Sequence, residues 1–347
     1  MQEKTLIRSA VLAAVIIITF VMAWELYLRN TGLNISYDDG DSLWSDKRAM
    51  VYEPIDKATV FIGSSRNKYD LDIKTWESLT KDHAIQLAME GTSPLPILDD
   101  LANDNKFKGK LVVDVTEILF FSTSPRNTSK PKDNIAYFKK RTPAQRFSFL
   151  VNHVLEGNLV FLDKAYYSLN ALMDEIPLPK RKGVFTLPWN CPLEFNRITF
   201  DRQNIMTNRF LADTTLQNKV KGLWDFYRIN TLAPPTAGSK LDSMLNTVKI
   251  DVDRILARGG KVMFVRTPSS GPFLAGEKMG FPREKYWDRV LAITKCPGIH
   301  FSDYPAIDHF QCPEFSHLKQ SDAVIFTQNL VDILQQKGWS FPNKATN

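Results

Sequence analysis

Two short stretches near opposite ends of the chain carry residues able to do chemistry together. The first is Val60-Phe61-Ile62-Gly63-Ser64-Ser65-Arg66, an apolar run that stops at a glycine and two serines before a polar, helix-forming segment. The second is Glu314-Phe315-Ser316-His317-Leu318. A serine hydroxyl attacks an acyl carbon well when a base takes its proton and hydrogen-bond donors stabilise the oxyanion. The usual base is histidine, held in the right tautomer by a carboxylate, and Glu314 stands three residues before His317. A serine at a strand-to-helix turn has a second use, as a helix cap. The two serines divide these roles, with Ser64 as the cap and Ser65 as the nucleophile.

For Ser65 and His317 to meet, the elements between them must bring distant chain to one edge. Apolar, β-branched runs at Ala58–Ile62, Ala84–Met89, Lys110–Val115, Lys261–Val265 and Gly298–Ser302 read as strands. Between them, Leu71–Leu79, Pro94–Ala102, Lys240–Arg258, Lys285–Ile293 and Asp322–Gln336 have the periodicity of helices, two of them stopped by Gly259-Gly260 and Gly338. This alternation predicts an α/β protein, a flavodoxin-like three-layer α/β/α sandwich whose parallel sheet is covered on both faces. Such folds place ligands at the carboxyl ends of their strands, where residues 65 and 317 both fall.

The rest of the chain divides around that core. Lys4 and Arg8 precede an uncharged run from Ser9 to Trp24, and Glu25 and then Asp38, Asp39 and Asp41 follow it. That charge order predicts a membrane anchor over residues 1–29, with the N-terminus cytoplasmic and the body outside, periplasmic or extracellular. A cleaved signal peptide ending at Val21-Met22-Ala23 is the alternative. Residues 30–57 read as a tether, 58–338 as the α/β domain and 339–347 as a tail. From 120 to 235 the alternation disappears, predicting a mostly helical insertion at the sheet's carboxyl edge, a lid or docking surface. The net charge of +6 is mild, and its clusters, Lys139-Lys140-Arg141 and Lys180-Arg181-Lys182, resemble no nucleic-acid module. They read as solvated surface or as sites of attraction to anionic headgroups. Cys191, Cys296 and Cys312 match no metal spacing; an oxidising compartment permits a Cys296–Cys312 disulfide, and three unpaired thiols are the other possibility.

These blocks resemble the SGNH/GDSL hydrolase superfamily. The likeness is to its anchored extracytoplasmic branch, which includes the acyl-transfer partners of membrane-bound O-acyltransferases such as the alginate acetylation and teichoic-acid D-alanylation proteins. It spans about residues 58–118 and 240–338. Gly63-Ser64-Ser65 resembles the family's Gly-Asp-Ser block, making Ser65 the nucleophile and its amide an oxyanion donor. Gly91 falls where a second block's glycine supplies another N–H. Glu314-x-x-His317 stands where the family has Asp-x-x-His. The chain departs from the pattern at two places. Its acid is one methylene longer, leaving Asp308, or no side chain, as alternative orienters of His317. The third block's oxyanion asparagine is missing from Asp114-Val115-Thr116-Glu117, so Thr116 stands in for it, beside a Glu117 carboxylate that would repel an oxyanion if it pointed inward. Arg66 and Arg266, at the same edge, would bind a carboxylate or uronate of the substrate or else pair within the fold.

The resemblance implies serine-dependent O-acyl transfer, of acetyl by analogy, onto a cell-envelope or secreted polysaccharide. A membrane-bound O-acyltransferase partner would supply the acyl group, and no cofactor or metal would be needed. An esterase or deacetylase, and a non-catalytic subunit of an acyltransferase complex, are the alternatives.

Overall fold

The computed structural model describes residues 2–174, 176, 190–230 and 234–342; the Lys180-Arg181-Lys182 cluster and the end of the tail lie outside them. Five strands form one parallel sheet: β1 (Ala58–Ile62), β2 (His83–Gln86), β3 (Lys110–Asp114), β4 (Lys261–Arg266) and β5 (Gly298–His300). Their order is β2-β1-β3-β4-β5, every neighbouring pair parallel. This is the flavodoxin-like order, whose switch point lies between β1 and β3. The α/β sandwich expected from the alternation is therefore the fold of the chain.

Side chains alternate across each strand, so the sheet feeds two separate cores. Val60, Ile62, Leu111, Val113, Val262 and Phe264 face one side, packing with the helices Leu95–Asn103, Gly238–Ala257 and Trp287–Thr294. Phe61, Val112, Met263 and Val265 face the other, packing with Ile73–Thr80 and Gln320–Gln336. Each fully buried apolar side chain contributes about 1.5–3 kcal/mol of transfer free energy, which is what holds the three layers together.

The two faces also decide the cysteines. Cys296 belongs to the first core and Cys312 to the second. The sheet lies between them, so the expected Cys296–Cys312 pairing does not form, and all three cysteines are free.

The stretch expected to be a tether also differs. Asp41–Met50 is a helix with Leu43 and Trp44 buried, and Trp44 Nε1 donates to the carbonyl of Leu87 at 3.0 Å. Arg48 is buried too, paired with Asp100 at 2.9 Å and Asp104 at 2.8 Å. The segment reads as polar because its buried face carries charges whose partners lie on the distant Leu95–Asn103 helix and its cap.

The chain forms two compact units, Asp39–Pro143 with Leu187–Asn347, and Met1–Asp38 with Ala144–Thr186. The first holds the sheet. Its share of the expected insertion consists of the helix Pro125–Lys140, the hairpin Arg197–Ile198/Asn204–Ile205 and the helices Asn208–Ala212 and Thr214–Asn230. The second contains the helix Gln2–Asn30, of which Lys4–Asn30 is long and apolar enough to cross a membrane, with mean hydropathy 2.5.

Candidate active site

At the carboxyl end of β1 the chain turns at Gly63 because nothing larger fits. A Cβ there would lie 2.5 Å from the Cβ of Asp114, at the end of β3. The helix Ser65–Asp70 starts immediately after, and Ser64 caps it, its hydroxyl accepting from the Arg66 amide at 3.4 Å. Asp114 secures the turn from below, accepting from the Ser64 amide at 3.3 Å and the Thr116 hydroxyl at 3.0 Å. Ser65 is thus the first helical residue, where an amide has no intrahelical acceptor.

His317 reaches Ser65 from the other end of the chain. Its Nε2 lies 2.8 Å from Ser65 Oγ, and its Nδ1 lies 2.8 Å from Glu314 Oε1. Glu314 Oε1 also accepts from the His317 amide at 2.7 Å, and Oε2 accepts from Trp224 Nε1 at 2.5 Å. Among the described residues, the hydrogen bonds of this carboxylate are all with N–H groups. It therefore takes the Nδ1 proton as an acceptor and leaves Nε2 free to accept from the serine hydroxyl. His317 is 2% exposed and Glu314 fully buried, while Ser65 is half-buried and open to approach. Asp308 plays no part in this chain; it is exposed and lies 3.9 Å from His309.

The Glu-x-x-His turn is closed by an unusual backbone. Phe315 has φ +78°, the left-handed region that costs a bulky residue about 1–3 kcal/mol. The Ser270 amide holds it by donating to the Phe315 carbonyl at 2.9 Å. Its ring lies where a Cβ on Gly271 would be, 2.9 Å from Cδ1. That hydrogen bond and the seat of the ring against Gly271 hold the Glu314–His317 turn in this conformation.

Aromatic rings surround the imidazole. Tyr69, Phe195 and Trp224 have ring centroids 4.5, 5.7 and 6.1 Å from that of His317, and Tyr69 Oη donates to the Phe195 carbonyl at 3.0 Å. Beneath it, Asp70 accepts from the Leu318 amide at 2.9 Å. Burial drives the Asp70 carboxyl up to about 7, against the opposing pull of His317 and the Leu318 amide. None of Trp224, Tyr69, Phe195 or Asp70 was singled out from the sequence. The one sequence signal that could have pointed to Trp224 is the i, i+4, i+7 apolar spacing of Leu216, Val220 and Leu223 on its helix, all three buried.

The remaining candidates separate. Gly91 lies in the loop after β2, with φ +64°, and its carbonyl accepts from Asn127 Nδ2 at 2.9 Å. The β1–β2 pairing continues up to this loop, the Met89 amide donating to the Gly63 carbonyl at 3.1 Å.

Thr116, the third oxyanion donor expected, turns its hydroxyl toward other partners. Its buried hydroxyl is committed to Asp114 and to Ser64 Oγ, 2.7 Å away. Glu117 does not stand as a lone carboxylate, because Arg266 Nε donates to it at 3.0 Å. Arg66 and Arg266 take the second of the two roles read for them, pairing within the fold. Both are buried and pair with Glu277, Arg266 also holding Ser269 at 3.0 Å and Arg66 Nε donating to Ser316 Oγ at 3.2 Å. Burial by itself would raise Glu277, but the two guanidinium groups outweigh it and hold the carboxyl at about 2. In a buried ion cluster of this kind, removing one partner strands the others.

Among the described residues no group of three or more His, Cys, Asp or Glu side chains is placed to hold a metal ion. No protein-family model matches the chain, and no characterised protein matches its sequence.

Proposed function

We propose that the protein is an extracytoplasmic, serine-dependent O-acyltransferase, moving an acyl group, acetyl in the simplest case, onto a hydroxyl of a cell-envelope or secreted polysaccharide. One observation supports the serine chemistry in this reading: Ser65 Oγ, His317 and Glu314 form a continuous chain through two 2.8 Å contacts at the sheet's carboxyl edge. In the proposed first step Ser65 Oγ bonds to the acyl carbon while its proton passes to His317 Nε2. The donor's leaving oxygen departs with that proton, giving an acyl-Ser65 enzyme. An acceptor hydroxyl then gives its proton to Nε2 and attacks the acyl carbon; the bond from that carbon to Ser65 Oγ breaks, and Nε2 returns the proton to Oγ, restoring the serine and the neutral imidazole. Glu314 orients the imidazole and stabilises its charged form in both steps.

With Thr116 committed elsewhere, the amides of Ser65 and Gly91 are the proposed oxyanion donors. The likeness to the SGNH/GDSL superfamily supports the same assignment. The apolar Lys4–Asn30 helix supports work at a membrane surface, where a membrane-bound O-acyltransferase partner would present the acyl donor.

The test uses purified full-length protein in detergent with a chromogenic acetyl ester, with and without oligosaccharide acceptors. Ester consumption that depends on Ser65, with acetylated sugar as product, is the expected result. Water-only products under excess acceptor would make the protein an esterase. Wild type as inert as Ser65→Ala, with no acyl group trapped on Ser65, would make it a non-catalytic subunit.

A further inference from the structure

The unit formed by Met1–Asp38 and Ala144–Thr186 turns an apolar face outward. On the helix Pro143–Glu156, Phe147, Leu150, Val151, Val154 and Leu155 are 68, 56, 43, 53 and 41% exposed. At helical spacing they fill one arc about 140° wide. The half-buried Phe149, His153 and Glu156 lie on the opposite side, so the helix is held by its back and shows its apolar stripe. The short helix Leu169–Asp174 repeats the pattern: Leu169, Leu172, Met173 and the nearby Ile176, at i, i+3, i+4 and i+7, are each more than half exposed. A soluble surface helix has the reverse arrangement, and an uncovered apolar face of this kind marks an interaction site.

What covers the stripe follows from where its helix is fastened. Glu25, buried near the end of the apolar Gln2–Asn30 helix, accepts from the amides of Val160 at 2.9 Å and Phe161 at 3.1 Å, just past the end of the amphipathic helix. Arg29 donates to the Asn158 carbonyl at 2.8 Å and to Glu25 at 2.7 Å. Beside them Trp24 and Tyr27 stack, with centroids 5.6 Å apart and both rings exposed, the residue types that settle at a bilayer–water boundary. The foot of the stripe therefore sits within a few residues of the point where the apolar helix would leave a membrane. Arg146, exposed at one margin of the arc, is placed to keep its guanidinium among lipid phosphates.

We infer that residues 144–176 form an interfacial collar, lying in the headgroup–acyl boundary of a phospholipid bilayer around the outer end of the N-terminal helix. This rests on that helix spanning the membrane, and the experiment separates the two. Full-length protein carrying Cys191→Ser, whose two remaining cysteines are buried, receives one further change: Leu150→Cys, Val154→Cys, Ser148→Cys or Ile16→Cys. Each thiol is labelled with an environment-sensitive fluorophore, and the protein is reconstituted into vesicles of phosphatidylethanolamine and phosphatidylglycerol. Quenching by nitroxide lipids is compared with quenching by aqueous iodide.

Labels at 150 and 154 are expected to be quenched several-fold more by the lipid probe than the label at 148, and to be sheltered from iodide. Iodide access at 150 and 154 overturns the collar, as does shelter from both quenchers, which would mean that protein covers the stripe. If the label at 16 is lipid-quenched while 150 and 154 are not, the span stands and the collar falls. If all three escape the lipid probe, both fall.

Discussion

Replacing Glu314 by glutamine tests the hydrogen-bond polarity around His317, because three N–H groups converge on two carboxylate oxygens. A glutamine amide offers one oxygen and one NH2. With its oxygen toward His317 it keeps the amide and Nδ1 bonds but sets its NH2 against Trp224 Nε1–H. With its oxygen toward Trp224 it opposes the fixed His317 amide and drives the Nδ1 proton to Nε2, which abolishes the base. Loss of the orienting charge and tautomer in such triads costs up to about 10⁴ in turnover, so Glu314→Gln is expected to lose about 10³-fold or more in kcat/KM.

Trp224→Phe alone removes a bond to a charged group that contributes about 1.5–3 kcal/mol, and the part expressed in the transition state predicts a loss of about tenfold. In the double variant the clash with the indole is gone, so the amide can settle with its oxygen on His317. Relieving a buried donor–donor contact is worth about 1–3 kcal/mol, and Trp224→Phe should then raise the activity of Glu314→Gln by about tenfold. Tenfold down in one background and tenfold up in the other is a coupling of about 2.8 kcal/mol. The assay is acetyl-ester turnover, supported by the rate at which a fluorophosphonate labels Ser65. Should Trp224→Phe lower both backgrounds by the same factor, the indole does not act through Glu314, and the argument is wrong.

Asp70 predicts a pH dependence of stability. Its folded pKa of about 7 lies above the ordinary aspartate value of about 3.9, so the folded state holds a proton the unfolded state releases. The resulting stabilisation is complete below about pH 4 and disappears as pH rises through 7, a fall of up to about 4 kcal/mol. Asp70→Asn keeps an acceptor for the Leu318 amide and should flatten that fall. Unfolding in detergent at pH 5 and pH 8 checks it, and an unchanged difference between variant and wild type refutes it. Gly63→Ala forces a contact with Asp114 and should cost about 1–3 kcal/mol, seen as a lower melting temperature with slower labelling of Ser65; wild-type values for both would rule out the close approach. Thiol titration should find at most Cys191 reactive in the native protein and three thiols after denaturation, whereas a single thiol after denaturation would show a disulfide.

The alternation of β-branched runs with amphipathic helices determined the parallel sandwich, because burial on both faces of a sheet leaves a pattern local enough to read. The same local signals located Gly63-Ser64-Ser65 at a strand end and gave Ser64 its cap. What one stretch contributes to a distant one was not legible. Asp41–Met50 reads as tether because its buried Arg48 finds Asp100 only in the folded chain. Arg66, Arg266 and Thr116 look available along the sequence and are consumed by Glu277, Asp114 and Ser64 in space.

The sequence by itself determined which residues stand at the sheet's carboxyl edge, since strand ends are set by short-range patterning. Only tertiary structure decided which of them face one another. It delivered Trp224 to Glu314 and separated Cys296 from Cys312 by the thickness of the sheet, because hydrogen-bond partners are chosen by distance and burial rather than by spacing along the chain.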